Sequence, residues 1–191
     1  IKSVLNIMKK IIVTDVCGYN YKSLIYFENI IKKLKIPKVG KIVQLGSNFC
    51  VTLERMCMFF GYDRVVGYDL QNPLNHPNVI IKNCFKLGKD KRKDYFKIAY
   101  CDVDLSSLHI NPKLRIHAVK WASNQIVKNG YILTNNSFAF KKHSNFDVED
   151  YLTKKNFSII QLDSFKHLNW AKNFNKKSDW NTKSAMLCKK K

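Results

Sequence analysis

Hydrophobic and polar positions follow two alternating patterns along this chain. Short apolar runs bounded by glycine, proline or asparagine indicate strands, whereas longer stretches with apolar residues three or four apart indicate helices. The first pattern predicts seven strands, at 41–45, 64–68, 78–82, 96–101, 131–134, 157–162 and 184–188. The second predicts helices over 22–35, 50–60, 112–128 and 147–155, the last of them capped by Asp147.

The order of these elements predicts the fold class. Strands and helices alternate through most of the chain, which favours a parallel sheet covered by helices on both faces. The last two strands have no helix between them, which favours an antiparallel pair at one edge. We therefore expect an α/β three-layer sandwich with a Rossmann-like, seven-stranded, mostly parallel sheet and an antiparallel C-terminal strand pair. The length of 191 residues predicts a single domain, with a helical segment over 1–40 and the Rossmann-like core over 41–191.

The first strand–turn–helix–strand unit carries the clearest functional pattern. Gly46 opens the turn after the first strand, Gly61 ends the helix, and Asp69 follows the second strand, 23 residues after Gly46. A nucleotide-binding βαβ unit has this order, with a glycine turn near the ligand and an acid about 20 residues later for ribose hydroxyls. Alternatively, Gly46 makes an ordinary tight turn and Asp69 caps the next one.

The positive net charge of the chain points to a polyanionic partner. The formal net charge is +20, and 30 of the 34 basic residues are lysine. A basic surface releases counterions when it binds phosphates, which favours nucleic acid. The chain also contains 19 asparagines and 18 isoleucines, and these residues share A/T-rich codons with lysine. Codon composition is therefore an alternative explanation of the charge.

The cysteines and the length of the apolar runs bear on the compartment. None of the six cysteines has CxxC spacing, and several lie within apolar runs, where cysteine acts as a small buried hydrophobe. No apolar run reaches the roughly 18–20 residues that span a bilayer. We therefore expect a cytoplasmic protein with reduced cysteines and no membrane partner, and the sequence does not predict its oligomeric state.

Five segments together carry a resemblance to a known family. They are VQLGSNFC, VVGYDL, IIKNCFKL, IAYCDVDL and NGYILTNN, each at the end of a predicted strand. With them the chain resembles the class I S-adenosylmethionine-dependent methyltransferases over residues 41–188. The resemblance implies S-adenosylmethionine as cofactor, with Asp69 at its ribose and Asn83 at its adenine. The full implied cofactor-binding set is Gln44, Gly46, Ser47, Asn48, Asp69, Leu70, Asn83, Cys84 and Asp102.

A weaker local similarity points to catechol-type O-methyltransferases. Those enzymes hold magnesium with an Asp-x-Asp segment after strand four and an Asp-Asn pair after strand five. The similarity implies Asp102 and Asp104 as catalytic residues, and a Mg²⁺ site formed by Asp102, Asp104 and Asn136. Asn135 stands where the family has a carboxylate, which removes one negative charge. The chain has no NPPY-like or DPPY-like segment after strand four, which disfavours base N-methylation.

These patterns predict an S-adenosylmethionine-dependent methyltransferase whose acceptor the sequence does not identify, with O-methylation of a small molecule favoured. The alternative is a nucleic-acid-binding protein or nucleic-acid methyltransferase that uses the same fold with a degenerate cofactor turn. The segment 163–183 connects the last two strands and contains Trp170, Phe174 and Trp180, which fits a lid, a nucleic-acid contact or a packed insertion. We expect His117 and Trp121 to pack in the core.

Overall fold

A computed structural model describes residues 28–29, 31–46, 51–83, 87, 95–101, 112–136, 146–164 and 184–191. Helical residues at 28–29 and 31–33 precede the sheet. The strands are β1 Lys41–Leu45, β2 Val65–Asp69, β3 Val79–Ile81, β4 Phe96–Cys101, β5 Ile126–Asn136, β6 Phe157–Ser164 and β7 Ser184–Lys190. The longer helices are α1 Val51–Phe60, α2 Pro112–Gln125 and α3 Val148–Lys154. None of the described helices is long and apolar enough to cross a bilayer.

The strands form a seven-stranded sheet in the order β3-β2-β1-β4-β5-β7-β6. Strands β1 to β5 pair in parallel, whereas β7 runs antiparallel to both β5 and β6. The predicted fold class, including the antiparallel C-terminal pair, is confirmed. The order in which strands are added to the sheet reverses between β1 and β4. Because β1 and β2 are parallel, their carboxyl ends lie at the same edge, where open α/β sheets bind ligands.

Helices cover both faces of the sheet, as the alternation of side chains along the strands requires. In β7, Met186 and Cys188 lie in the cluster with α2 and α3, whereas Leu187 lies in the cluster with α1. The α1 cluster also includes Ile31 from the N-terminal helical residues, which is 2% exposed. The three predicted layers are therefore present.

The boundary between α2 and β5 differs from the prediction. The helix ends at Gln125 instead of near 128, and Ile126 already pairs with Phe96 before the register shifts. A β-carbon on Gly130 would lie 2.6 Å from Ile126 Cγ2 and 2.8 Å from the carbonyl oxygen of Lys97. Asn129-Gly130 therefore forms an irregular step within β5, where the sequence suggested the end of a helix.

Three residues show how predictions of burial from the apolar pattern compare with the structure. Trp121 is buried at 4% exposure and packs near Tyr68 and Phe96, as expected. His117 is exposed on α2, so its prediction as a packed core histidine was wrong. Leu34, an apolar residue near the end of the helix predicted over 22–35, is 42% exposed because the chain turns there, with Lys35 at a positive φ.

The buried thiol of Cys188 gives a pH-dependent stability prediction. Burial, with a smaller contribution from the charge of Glu149, raises the pKa of Cys188 from 9.0 to about 12. Above pH 9 the unfolded chain loses this proton while the folded chain keeps it, so the free energy of unfolding falls as pH rises. Between pH 9 and pH 10 the loss should be about 1 kcal/mol, because half of the unfolded chains have already lost the proton at pH 9.

Urea unfolding of the wild type and of Cys188→Ala from pH 8 to pH 10 measures this difference. The pKa of Tyr62 is also raised, from 10.0 to about 12, so its contribution begins near pH 10, at the top of this range, and is present in both proteins. The variant should be less stable at pH 8 but show a flatter decline above pH 9. Parallel declines in the two proteins would contradict the assignment to Cys188.

Candidate active site

The glycine turn lies at the carboxyl end of β1. Gly46 has a φ of +79°, a left-handed conformation that favours glycine. Its N–H donates to the carbonyl oxygen of Tyr68 at 2.9 Å, which holds the turn against the end of β2. Apart from Gly46 and its chain neighbours, no atom of the described residues lies within 4 Å of where a Gly46 β-carbon would be. Backbone conformation, not crowding, therefore requires glycine here.

Gln44 is a buried polar residue on β1, two positions before the turn. It is 2% exposed, and its Oε1 atom has no hydrogen-bond partner within the described part of the chain. A buried acceptor left unsatisfied costs about 1–3 kcal/mol. This acceptor, beside an open glycine turn, fits a ligand that brings an N–H donor, such as the amino group of an amino-acid moiety.

Asp69 ends β2 at the same edge of the sheet. Its Oδ1 atom accepts from the N–H of Leu70 at 2.6 Å and from that of Gln71 at 3.3 Å. Asp69 therefore caps the turn that follows it, as the structural alternative predicted. The cap also fixes the direction of the Asp69 carboxylate. Because β1 and β2 are neighbouring parallel strands, Asp69 lies at the same edge of the sheet as Gly46. Both predicted roles are thus compatible with one conformation.

The other residues predicted to bind the cofactor either follow the ends of β2 and β3 or lie outside the described residues. Leu70 is 59% exposed beside Asp69, and Asn83 is half-buried two residues after the end of β3. Because β3 pairs in parallel with β2, Asn83 follows its strand toward the same edge as Asp69. Ser47, Asn48 and Cys84 lie outside the described residues.

The predicted catalytic and metal residues remain untested. Asp102 and Asp104 lie outside the described residues, directly after the end of β4. Asn135 and Asn136 lie at the end of β5, where their backbones pair with Ala185 and Ser184 of β7. Among the residues that the structure describes, no group of three or more His, Cys, Asp or Glu side chains is arranged to hold a metal.

A buried ion pair fixes the helix that follows the glycine turn. Arg55 in α1 donates from Nε and Nη2 to the two carboxylate oxygens of Glu28, at 2.7 and 2.9 Å. The Glu28 side chain is 2% exposed, whereas that of Arg55 is 34% exposed. Paired, two-point geometry of this kind is the strong form of an Arg–carboxylate contact. It joins the N-terminal helical residues to α1 near the candidate site.

A second hydrogen-bonded network joins α1 to the residues on either side of β2. Glu54, in the first turn of α1, accepts from the hydroxyl of Tyr62 and contacts His76 Nε2 at 2.9 Å. The N–H of Asn78 donates to His76 Nδ1 at 3.1 Å, so the ring proton is assigned to Nε2, which donates to Glu54. Partial burial of Tyr62, together with the hydrogen bond to Glu54, raises its pKa to about 12.

This network was not predicted from the sequence, although the sequence contains one sign of it. Glu54 is an acid within the otherwise apolar pattern of α1, and it is only 7% exposed. His76 is 3% exposed in the loop between β2 and β3, and no pattern in the sequence around it predicts this burial. The network joins that loop to the helix that follows the glycine turn.

Comparisons with known proteins identify the fold. The sequence matches no protein-family model and no curated protein. An S-adenosylmethionine-dependent methyltransferase from Clostridium acetobutylicum is 14% identical, and the match covers 99% of this chain and 98% of that chain at a TM-score of 0.59. Magnesium protoporphyrin IX methyltransferase from Synechocystis, solved with bound S-adenosylmethionine, is 9% identical over 93% of this chain and 82% of that chain, at a TM-score of 0.63.

A third solved structure of the same fold is described as a cyclase. SpnF is 8% identical over 86% of this chain and 80% of that chain, at a TM-score of 0.53. The chain therefore has the fold of the class I S-adenosylmethionine-dependent methyltransferases, and the reaction has to be argued from the site. The weaker similarity to catechol-type enzymes stays a prediction.

Proposed function

We propose that this protein is a methyltransferase that uses S-adenosylmethionine. The observation that carries the proposal is the pairing of the open Gly46 turn with the Asp69 carboxylate at one edge of a methyltransferase-type sheet. The unsatisfied Gln44 Oε1 beside this turn supports it, because the amino group of the cofactor's methionine moiety is a suitable donor.

Each described residue has one task in this proposal. The Gly46 turn admits the methionine moiety, Gln44 accepts from its amino group, and Asp69 accepts from the ribose hydroxyls. Asn83, which follows the next strand, accepts from the adenine amine in this proposal. The bound cofactor would supply a methyl group on a positively charged sulfur. The chain's contribution is then mainly alignment, because a nucleophile held in line needs little further assistance.

The acceptor is proposed to be a small molecule methylated on oxygen. Asp102 follows Cys101, the last residue of β4, in the sequence. A carboxylate near the acceptor would take the proton from its hydroxyl. Asp102 and Asp104 are therefore proposed as catalytic residues. With Asn136 they are proposed to bind Mg²⁺, since oxygen ligands suit this ion. Asn135 in place of a carboxylate lowers the charge of the site, so the affinity for Mg²⁺ should be low.

Transfer of a radiolabelled methyl group to a panel of catechols, phenols and carboxylic acids tests this function. We expect transfer to at least one hydroxyl acceptor, with stoichiometric release of S-adenosylhomocysteine, and loss of transfer in Asp102→Ala. If the metal site forms, EDTA should abolish transfer and Mg²⁺ should restore it. Full activity in excess EDTA would remove the metal from the proposal, and cofactor binding without transfer to any acceptor would count against the small-molecule assignment.

A further inference from the structure

Cationic residues gather at the amino edge of the sheet, opposite the candidate active site. Strands β1, β2, β4 and β5 begin at this edge, and β7 ends there because it is antiparallel to β5. The residues next to these strand ends include eight cations, which we call the basic edge: Lys38, Lys41, Arg64, Lys97, Lys128, Lys155, Lys190 and Lys191.

Lysine ammonium groups of the basic edge bond to backbone carbonyl oxygens. Lys38 donates to Phe59 at 3.1 Å, Lys41 to Asp63 at 2.7 Å, and Lys97 to Asn129 at 2.8 Å. These bonds hold the side chains along the edge and neutralise none of their charge. Phe59 lies at the carboxyl end of α1, where carbonyl groups attract cations, whereas Asp63 and Asn129 lie outside the helices.

Few acids balance this charge in the described part of the chain. None of Lys38, Lys41 and Lys97 forms a salt bridge with a described carboxylate. Asp63 lies 3.7 Å from Arg64, and its side chain is 81% exposed. A row of cations with so few paired acids produces a positive potential that attracts polyanions.

Two exposed aromatic rings lie between the cations of the basic edge. Tyr62 follows α1 and is 43% exposed, and Tyr95 precedes β4 and is 45% exposed. The Tyr62 hydroxyl bonds to Glu54, and the Tyr95 ring packs edge-on against Phe96 at 4.8 Å between centroids. Both rings are thereby held in place while keeping exposed surface. Rigid aromatic rings among lysines are suited to stacking on nucleic-acid bases.

We propose that the basic edge binds single-stranded nucleic acid. From β2 to β6 the edge crosses six strands, about 24 Å at the usual strand spacing of about 4.8 Å. Phosphates would contact the lysines and unpaired bases would stack on Tyr95, which a duplex does not permit because its bases are already stacked. This site is on the edge opposite Gly46 and Asp69. It is additional to methyl transfer and does not identify the acceptor.

Fluorescence anisotropy with a labelled oligouridylate of about 16 nucleotides tests the proposal, without cofactor. The affinity should fall steeply with salt. In Lys41→Gln/Lys97→Gln, glutamine keeps a donor for the two carbonyl groups but removes two charges. If each lysine neutralises one phosphate, the slope of log K against log salt should decrease by about 1.4 units. Lys38 is left unchanged because its ammonium also lies 3.6 Å from the centre of the Phe59 ring.

The matched control is Lys82→Gln/Lys120→Gln, which removes two charges away from the basic edge. Lys82 follows the carboxyl end of β3, and Lys120 lies within α2. This control should keep the wild-type slope, and Tyr95→Ala should weaken binding about tenfold without changing the slope. Thermal melting establishes that each variant is folded.

Several results would overturn the proposal. One is the absence of binding at low salt, and another is an equal loss of slope in the test and control pairs. Equal affinity for a duplex of the same length, or no effect of Tyr95→Ala, would exclude single-strand stacking. Binding to phosphatidylserine vesicles but not to the oligonucleotide would assign the basic edge to a membrane surface. None of these results depends on whether the protein transfers methyl groups.

Discussion

Replacing Asp69 by alanine should weaken the binding of S-adenosylhomocysteine about 5- to 150-fold, which corresponds to about 1–3 kcal/mol. The reason is the loss of a carboxylate that, in the proposed site, accepts from the ribose hydroxyls. Isothermal titration calorimetry of the wild type and the variant measures the change directly.

The structure also provides the control for this experiment. Asp69 Oδ1 accepts from the N–H groups of Leu70 and Gln71, so Asp69→Ala removes a turn cap as well as a ligand contact. Asp69→Asn keeps an acceptor for the turn but removes the charge. Its melting temperature without ligand should match that of the wild type, while its affinity should be intermediate. Wild-type affinity in a folded Asp69→Ala protein would contradict the ribose role.

Arg55→Ala should lower the free energy of unfolding by about 3 kcal/mol, near the lower end of the range for breaking a buried ion pair. The substitution leaves the Glu28 carboxylate, which is 2% exposed, without its two-point partner. The lower end applies because the Arg55 side chain is 34% exposed and its charge is partly screened by solvent. Urea unfolding at neutral pH measures the loss.

Two further variants separate the burial effect from a general effect of charge. Lys154→Ala removes a cation from an exposed pair, with 2.7 Å between its ammonium and Asp150, and should cost at most about 1 kcal/mol. In a Glu28→Gln background, Arg55→Ala should cost less than it does alone, because no charge remains buried. Equal costs for Arg55→Ala in the two backgrounds would show that the ion pair contributes little.

The sheet was predictable because its strands are short apolar runs with clear boundaries. The predicted bounds of the first and fourth strands match those of β1 and β4, and the glycine stop at Gly61 has a φ of +109°. The antiparallel ending followed from the missing helix before β7. These features depend on the local pattern of apolar and polar residues, so they could be predicted from the sequence. The adjacency of Gly46 and Asp69 then followed from strand order alone.

Other features depend on contacts between distant parts of the chain. The Glu54–His76 contact joins residues 22 positions apart, and no local pattern pairs them. The Glu28–Arg55 pair joins residues 27 positions apart in the same way. The early start of β5 depends on the pairing of Ile126 with Phe96, which extends the strand beyond its apolar run. The exposure of His117 depends on how α2 is rotated against the sheet.

Calorimetric titration of the wild-type protein with S-adenosylhomocysteine, with NADH as the comparison ligand, tests the central claim most directly. The account predicts one binding site per chain for S-adenosylhomocysteine, with a higher melting temperature in its presence, because the ligand binds only the folded state. It predicts no binding of NADH. Absence of heat and of any melting shift with S-adenosylhomocysteine, or tighter binding of NADH, would contradict the assignment of the Gly46–Asp69 edge as a methyltransferase cofactor site.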